Sequence, residues 1–239
     1  MENNNKTALI TGASRRIGRA TAEHLSKQGY NIALHYNESE KDAIDTQETI
    51  INDGNKCQLI QADLLDPTSY KKIIDDSLTA FGNIDVLINN ASIFNKYSFM
   101  DTDEETFDKN ISIHLKAPFF LTQNFVKKCN KGCIINIIDS KISSNEGAYF
   151  SYLLSKKSLF DFTMMVAKEI APDFRVNAIC PGSILPSEHW SKEDIDNKNS
   201  NLPMQTTPTL QDICQNILHL INTPSLTGQC IYVDSGQNL

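Results

Sequence analysis

The 239-residue sequence predicts an α/β fold: one doubly wound parallel sheet of about seven strands, with helices on both faces. Three observations carry this. Short, β-branched apolar runs alternate with longer helical segments along the whole chain. Most of those runs are continuously apolar, as strands buried on both faces of a parallel sheet must be. No linker and no internal repeat interrupts the alternation, so 1–239 reads as a single domain.

The strands are expected at 7–11, 31–36, 57–62, 84–89, 133–138, 175–179 and 229–233, and the helices at 17–28, 39–53, 67–81, 103–128, 150–171 and 209–222. Gly29, Gly54 and Gly82 stand where C-terminal caps of the first three helices belong. Asp66-Pro67 and Thr207-Pro208 each read as an N-cap followed by proline at the first helical position. In the fifth helix Leu159, Phe162, Val166 and Ile170 make an apolar stripe. The connection from Gly182 to Thr207 is too long for an ordinary loop, and its stretch 187–201 is rich in Asn, Asp, Lys and Ser. Connections this long in compact domains are usually lids or disordered, and 183–208 is expected to be a lid over the substrate site.

Composition excludes several classes. The net charge of −7 offers nucleic acid and anionic lipid no general attraction. No apolar run approaches the roughly 20 residues of a membrane-spanning helix. The polar start, Met1 to Lys6, leads straight into a strand without a signal-peptide pattern, which makes the cytoplasm the default. Six cysteines, at 57, 129, 133, 180, 214 and 230, form no Cys-x-x-Cys pair. They read as small reduced residues, several within apolar runs, and no metal site is expected.

The chemistry-bearing residues lie at predicted strand ends. Thr11-Gly12-Ala13-Ser14-Arg15-Arg16-Ile17-Gly18 joins the first strand to the first helix, where a glycine-rich phosphate loop belongs. Gly12 permits a tight turn and Gly18 a close helix–strand approach, while the helix N-terminus offers N–H groups to a pyrophosphate. Arg16 replaces the usual middle glycine and adds a cation beside the adenosine ribose. His35, Tyr36, Asn37 and Ser39 end the second strand. An NAD site commonly places an acid near there; Glu38 arrives slightly late, and with Arg16 close by a 2′-phosphate is tolerable. NADPH is therefore favoured over NADH. Asp63 and Leu64 follow the third strand, Asp63 suited to the adenine amino group or to bonding its own turn. Asn89-Asn90-Ala91-Ser92 follow the fourth. Tyr152 and Lys156, at i and i+4, share a helix face, where an ammonium can lower the phenol's pKa. Asp139 stands thirteen residues before the tyrosine.

In combination these motifs resemble the short-chain dehydrogenase/reductase family from end to end. The matching residues are Thr11-Gly12 with Gly18, Asp63, Asn89-Asn90-Ala91, Tyr152-x-x-x-Lys156, Pro181-Gly182 and Gly228 with Asp234-Ser235-Gly236. The resemblance implies a single Rossmann-type domain, a homotetramer or homodimer, a tyrosine acting as acid or base, a lysine on the nicotinamide ribose, and Pro181, Gly182, Ser183 and Ile184 beside the nicotinamide. Three positions depart from the general pattern: Arg16 for glycine, Asp139 for serine and His114 for a helix asparagine. With Ser92-x-Phe94, these are similar to pteridine reductases. The His114 helix and Ile184-Leu185-Pro186-Ser187-Glu188-His189 look more like bacterial dihydromonapterin reductases with dihydrofolate-reducing side activity.

The departures have a chemical sense. A developing alkoxide wants neutral donors, and a carboxylate facing it is repulsive. A pterin instead offers N–H donors and an imine nitrogen that must gain a proton. Asp139 with Tyr152 suits that substrate, Phe94 can stack on its flat ring and Ser92 can bond its edge. His114 is expected either to relay a proton or to be a buried, bonded helix residue. The alternative is a 3-oxoacyl-carrier-protein or general carbonyl reductase of the same family. A non-catalytic descendant would not need to keep both Tyr152 and Lys156.

Overall fold

The computed structural model describes residues 5–145, 147–184, 197 and 199–239. Seven parallel strands make one sheet in the order β3-β2-β1-β4-β5-β6-β7. They are β1 Thr7–Ile10, β2 Asn31–Tyr36, β3 Cys57–Gln61, β4 Val86–Asn89, β5 Gly132–Ile137, β6 Phe174–Pro181 and β7 Cys230–Val233. The helices are α1 Arg16–Lys27, α2 Glu40–Asn52, α3 Ser69–Phe81, α4 Glu104–Ile111, α5 Ala117–Lys128, α6 Phe150–Glu169 and α7 Leu210–Asn222. Every predicted strand is present, within three residues at either end.

Two apolar layers sandwich the sheet. On one face Ala22 and Leu25 of α1, Ala43 and Ile50 of α2, and Ile213, Ile217 and Leu220 of α7 pack on Ile10, Ile32, Leu34 and Ile88. On the other, Ile73 and Ile74 of α3, Leu121 and Phe125 of α5, and Ala167 of α6 pack on Leu9, Leu87 and Ile134. Each fully buried leucine, isoleucine or phenylalanine among them contributes about 1.5–3 kcal/mol of transfer free energy. Strand order reverses between β1 and β4, which opens a crevice at the carboxyl ends of the strands.

Four expectations need correction. The predicted helix over 103–128 is broken: α4 ends at Ile111, a π-helical turn occupies Ser112–Lys116, and α5 follows. Pro118 lies in the first turn of α5. It lacks the N–H that would bond the His114 carbonyl, so a regular α-helical ladder cannot run through this point. The α3 helix begins at Ser69 rather than at Pro67; Asp66 instead closes the preceding turn by accepting from the Thr68 N–H at 2.8 Å. Thr209, not Thr207, caps α7, in a reciprocal capping box with Asp212. The deeply buried face of α6 runs through Tyr152, Lys156, Leu159, Thr163 and Ala167, whereas Phe162, Val166 and Ile170 lie half-buried beside it. Polar residues on the buried face hid its phase. Of the predicted lid, 185–196 and 198 lie outside the described residues, as does the Leu185–His189 motif.

The α1 helix meets β1 through Gly18. A Cβ there would sit 2.2 Å from the Gly12 carbonyl oxygen and 2.6 Å from Asn90 Nδ2. Both neighbours are themselves bonded, because Asn90 Nδ2 donates to the Gly12 carbonyl at 3.0 Å. Gly18→Ala should therefore lower the unfolding free energy by about 1–3 kcal/mol. Urea unfolding measures this, and an unchanged midpoint would contradict the close approach.

Candidate active site

Residues at the ends of all seven strands converge on a crevice of about 610 Å³. All the predicted cofactor-side positions line it: Gly12, Ser14, Arg16, Ile17, Gly18, His35, Tyr36, Asn37, Ser39, Asp63, Leu64, Asn90, Ala91, Ser92, Pro181, Gly182, Ser183 and Ile184. Phe94, Asp139, Tyr152 and Lys156 line it too.

The phosphate-loop end is held by backbone traps. Gly12 has a φ of +62°, and its Cβ would meet Ala91 Cα at 2.9 Å, so both dihedral and space demand glycine. The Thr11 hydroxyl accepts from the N–H groups of Asn90 and Ala91, while Asn90 Nδ2 donates to the Thr11 and Gly12 carbonyls. Asn90 thus braces the loop rather than presenting its amide to a ligand. The N-terminus of α1 has no side-chain cap and no acid in its first turn, which leaves its N–H groups and dipole for an anion. Arg16 takes a φ of +50°, a left-handed conformation that costs a non-glycine residue about 1–2 kcal/mol. Its exposed side chain borders the crevice, whereas Arg15 is paired with Asp42 at 2.5 Å.

His35 was expected on the cofactor. It lines the crevice, but both ring nitrogens are committed to backbone. Nδ1 accepts from the Gly12 N–H at 3.1 Å, which leaves Nε2–H to donate to the Ala62 carbonyl at 3.1 Å. Burial pushes its pKa down to about 4 despite that carbonyl. Asp63 fills its modest alternative in part, accepting from the Leu65 N–H at 2.9 Å while bordering the crevice.

At the other end stands the chemistry. A buried chain of amides places α6: Asn89 Nδ2 donates to Asn136 Oδ1, and Asn136 Nδ2 to the Thr163 hydroxyl, each at 2.8 Å. Tyr152 Oη donates to Asp139 Oδ2 at 2.7 Å, and Asp139 Oδ1 accepts from the Lys141 N–H at 2.8 Å. Lys156 Nζ donates to the Ile137 carbonyl at 2.9 Å and lies 5.8 Å from the Tyr152 ring centroid. The predicted acidification of the phenol is not what this arrangement produces. Burial, then the Asp139 charge and its hydrogen bond, hold Tyr152 well above its ordinary pKa. Desolvation also lowers Lys156, to about 8, with Asp139 opposing. The phenol therefore carries its proton at neutral pH.

His114 is buried, with both ring nitrogens hydrogen-bonded. Its Nε2 accepts from the Ile93 N–H at 3.1 Å, so the proton sits on Nδ1 and is donated to the Ser155 hydroxyl at 2.8 Å. Ser155 in turn donates to the Tyr152 carbonyl at 2.7 Å. Burial first, and then the Lys156 charge, keep the imidazole neutral. It clamps the loop after β4 to α6, and the Ser92 hydroxyl lies 3.0 Å from its Nε2. Phe94 is not a core aromatic: at 56% exposed, it stacks on Tyr149 (4.7 Å) and meets the Tyr152 ring edge-on (4.9 Å). Sequence reasoning missed Tyr149 and Gln237, whose Oε1 accepts from the Ser183 N–H. Tyr149 sits in no recognisable motif, and Gln237 directly follows Asp234-Ser235-Gly236.

A Rossmann-type sheet carrying this loop and this Tyr-Lys pair defines a nucleotide-dependent oxidoreductase. The chain belongs to the short-chain dehydrogenase family, whose model matches residues 6–198. It is similar to an alternative dihydrofolate reductase, FolM, of Brucella suis solved in complex with NADP: 34% identity, 98% of this chain and 96% of that one, TM-score 0.93. The Brucella canis counterpart, also with NADP, matches at 34% identity and TM-score 0.93, covering 98% and 94%. A 3-oxoacyl-[acyl-carrier-protein] reductase, FabG, of Staphylococcus epidermidis is 31% identical over 97% of this chain and 98% of its own length. Among the described residues no helix is long and apolar enough to cross a membrane, and no group of acids, histidines and cysteines could hold a metal.

The two buried histidines make stability depend on pH. The unfolded His35 takes a proton below about 6.5 and the folded one only near 4, so its stabilisation is full above 6.5 and lost as pH falls to 4. That loss amounts to about 3 kcal/mol, with His114 acting in the same direction. Urea unfolding across this window should show a slope that flattens in His35→Asn. An unaltered slope would contradict the assignment.

Proposed function

We propose that this oxidoreductase reduces a C=N bond of a dihydropterin-type substrate, of the dihydromonapterin and dihydrofolate class, with NADPH. One observation carries the reading: a neutral phenol donating to a carboxylate that borders the same crevice. A carboxylate there is an acceptor for the N–H and amino groups of a pterin edge, and an obstacle to the oxyanion of a ketone.

The residues fit the cofactor. The uncapped α1 N-terminus suits a pyrophosphate. Arg16 holds a strained backbone at the crevice edge, and a 2′-phosphate would account for keeping a cation there. The FolM neighbours were solved with NADP, which supports NADPH over NADH. When bound, NADPH supplies the hydride to the imine carbon. Tyr152 holds the proton that the imine nitrogen must gain, and Asp139 holds Tyr152 and accepts from the substrate's N–H groups. Lys156 is a buried cation suited to the nicotinamide ribose. His114 is a positioning residue, fixing Tyr152 through Ser155. Phe94, backed by its stacking on Tyr149, offers an aromatic face to a flat ring.

The family's oligomer belongs to this proposal as well, with the exposed Phe119, Phe120, Leu154 and Met165 of α5 and α6 as candidate contacts. The FabG relatives favour a second reading, reduction of a 3-oxoacyl thioester. NADPH oxidation with dihydromonapterin, dihydrofolate and acetoacetyl thioester side by side decides between them. The pterin reading expects turnover of the first two. It also expects Asp139→Ser to lower pterin kcat/KM by about 100-fold, the scale of one well-placed acid–base group, while sparing or raising thioester reduction. Thioester turnover alone, or equal losses on both substrates, would remove the pterin assignment.

A further inference from the structure

The end of β6 carries chemistry that the reductase reaction does not use. Cys180 Sγ and Cys230 Sγ lie 2.9 Å apart across β6 and β7. All six cysteines are free thiols, and this pair lies closer than two thiols need to pack. A disulfide needs sulfurs about 2.05 Å apart, so the remaining gap is about 0.9 Å. The two differ in access: Cys180 is fully buried, whereas Cys230 is half-buried on the strand at the sheet edge.

Cys180 also touches the catalytic end of the crevice. The Asp139 backbone N–H lies near its sulfur and favours the thiolate. It directly precedes Pro181 and Gly182, which line the crevice. The Ile138 N–H to Ile179 carbonyl bond, at 2.8 Å, fastens these two strand ends just before Asp139 and Cys180. The strand register pairs Ala178 with Cys230 and Cys180 with Tyr232, so the two side chains reach each other diagonally. Diagonal partners stand farther apart than direct ones, and a covalent bond between them draws backbone along with it.

We infer that Cys180 and Cys230 form a reversible oxidation site whose disulfide draws the β6 end away from Asp139 and slows the reductase. The oxidant class is a peroxide. The Cys230 thiolate attacks a peroxide oxygen, the O–O bond breaks, sulfur is oxidised to the sulfenic acid, and the departing hydroxide takes a proton to leave as water. The Cys180 sulfur then attacks Cys230. The S–S bond forms, the S–O bond breaks, and the Cys180 proton leaves with the hydroxide as a second water. The neighbouring Cys230 thiol, and then burial, keep Cys180 protonated and shielded at rest, which leaves the more accessible Cys230 as the sulfur that peroxide reaches first; Cys180 gives up its proton as it attacks. A dithiol reductant reverses the bond by exchange.

The effect on turnover rests on the role of Asp139 proposed above; the bond itself does not. The test treats the full-length protein with stoichiometric hydrogen peroxide, then counts thiols in denaturant, maps peptides by mass and measures NADPH oxidation and NADPH binding. The expected result is loss of two of the six thiols and a linked Cys180–Cys230 peptide. Turnover should fall by about tenfold or more, as for a displaced catalytic group, and dithiothreitol should restore it. Cys230→Ser should keep basal turnover and resist peroxide. Six surviving thiols, a different linked pair, or a linked pair with unchanged turnover would each overturn the inference. Failure of the pterin assignment would instead leave the thiol count and peptide map as expected, so the two failures are distinguishable.

Discussion

The phenol of Tyr152 donates to the carboxylate of Asp139 in a nearly dry site, and the rest of the crevice is arranged around that bond. Removing a phenol from water disfavours its anion, and a neighbouring carboxylate disfavours it further. Both effects outweigh the Ser92 hydroxyl, which acts in the opposite direction. The consequence is a tyrosine kept protonated, as a proton donor in a reduction must be. The scaffold holds it from three directions: through Ser155 and His114 to the loop after β4, through Asp139 to the end of β5, and through the buried amide chain from Asn89 to Thr163.

The two ends of the crevice follow different physical rules. At the phosphate loop the side chains mostly serve the backbone, with His35, Asn90 and Thr11 spending their polar groups on holding Gly12 in place. That leaves backbone N–H groups and a helix dipole to meet an anion. At the catalytic end the polar side chains face one another and the crevice, and charge and desolvation set their protonation. Arg16 belongs to the phosphate-loop end, where its left-handed backbone departs from local preference. Strain of this kind persists where a bound group repays it.

Much of this was legible in the sequence. Continuous apolar strands and strand-end glycines gave the sheet and the location of the crevice, because burial on both faces leaves a strong compositional trace. Tyr152, Lys156 and Asp139 were recognisable by spacing. What the sequence could not reveal was direction. The pair Tyr152–Lys156 suggested an acidified phenol, whereas the carboxylate and burial raise its pKa instead. His114 and His35 were visible as unusual residues, but their tautomers depend on the Ile93 and Gly12 N–H groups, which come near only in the fold. Pro118 could have signalled the break before α5, since it cannot bond back to the His114 carbonyl. Tyr149 left no signal, and Gln237 only its place directly after Asp234-Ser235-Gly236.

The most direct test is an ionisation curve for Tyr152 alone, followed by carbon-13 NMR of ring-labelled tyrosine in the free protein. The native chain should keep this resonance in its phenol form past pH 10, and Asp139→Asn should bring the ionisation to lower pH. A Tyr152 that ionises below 10 in the native chain, or whose curve ignores the loss of the carboxylate, would contradict the bond on which the catalytic site is built.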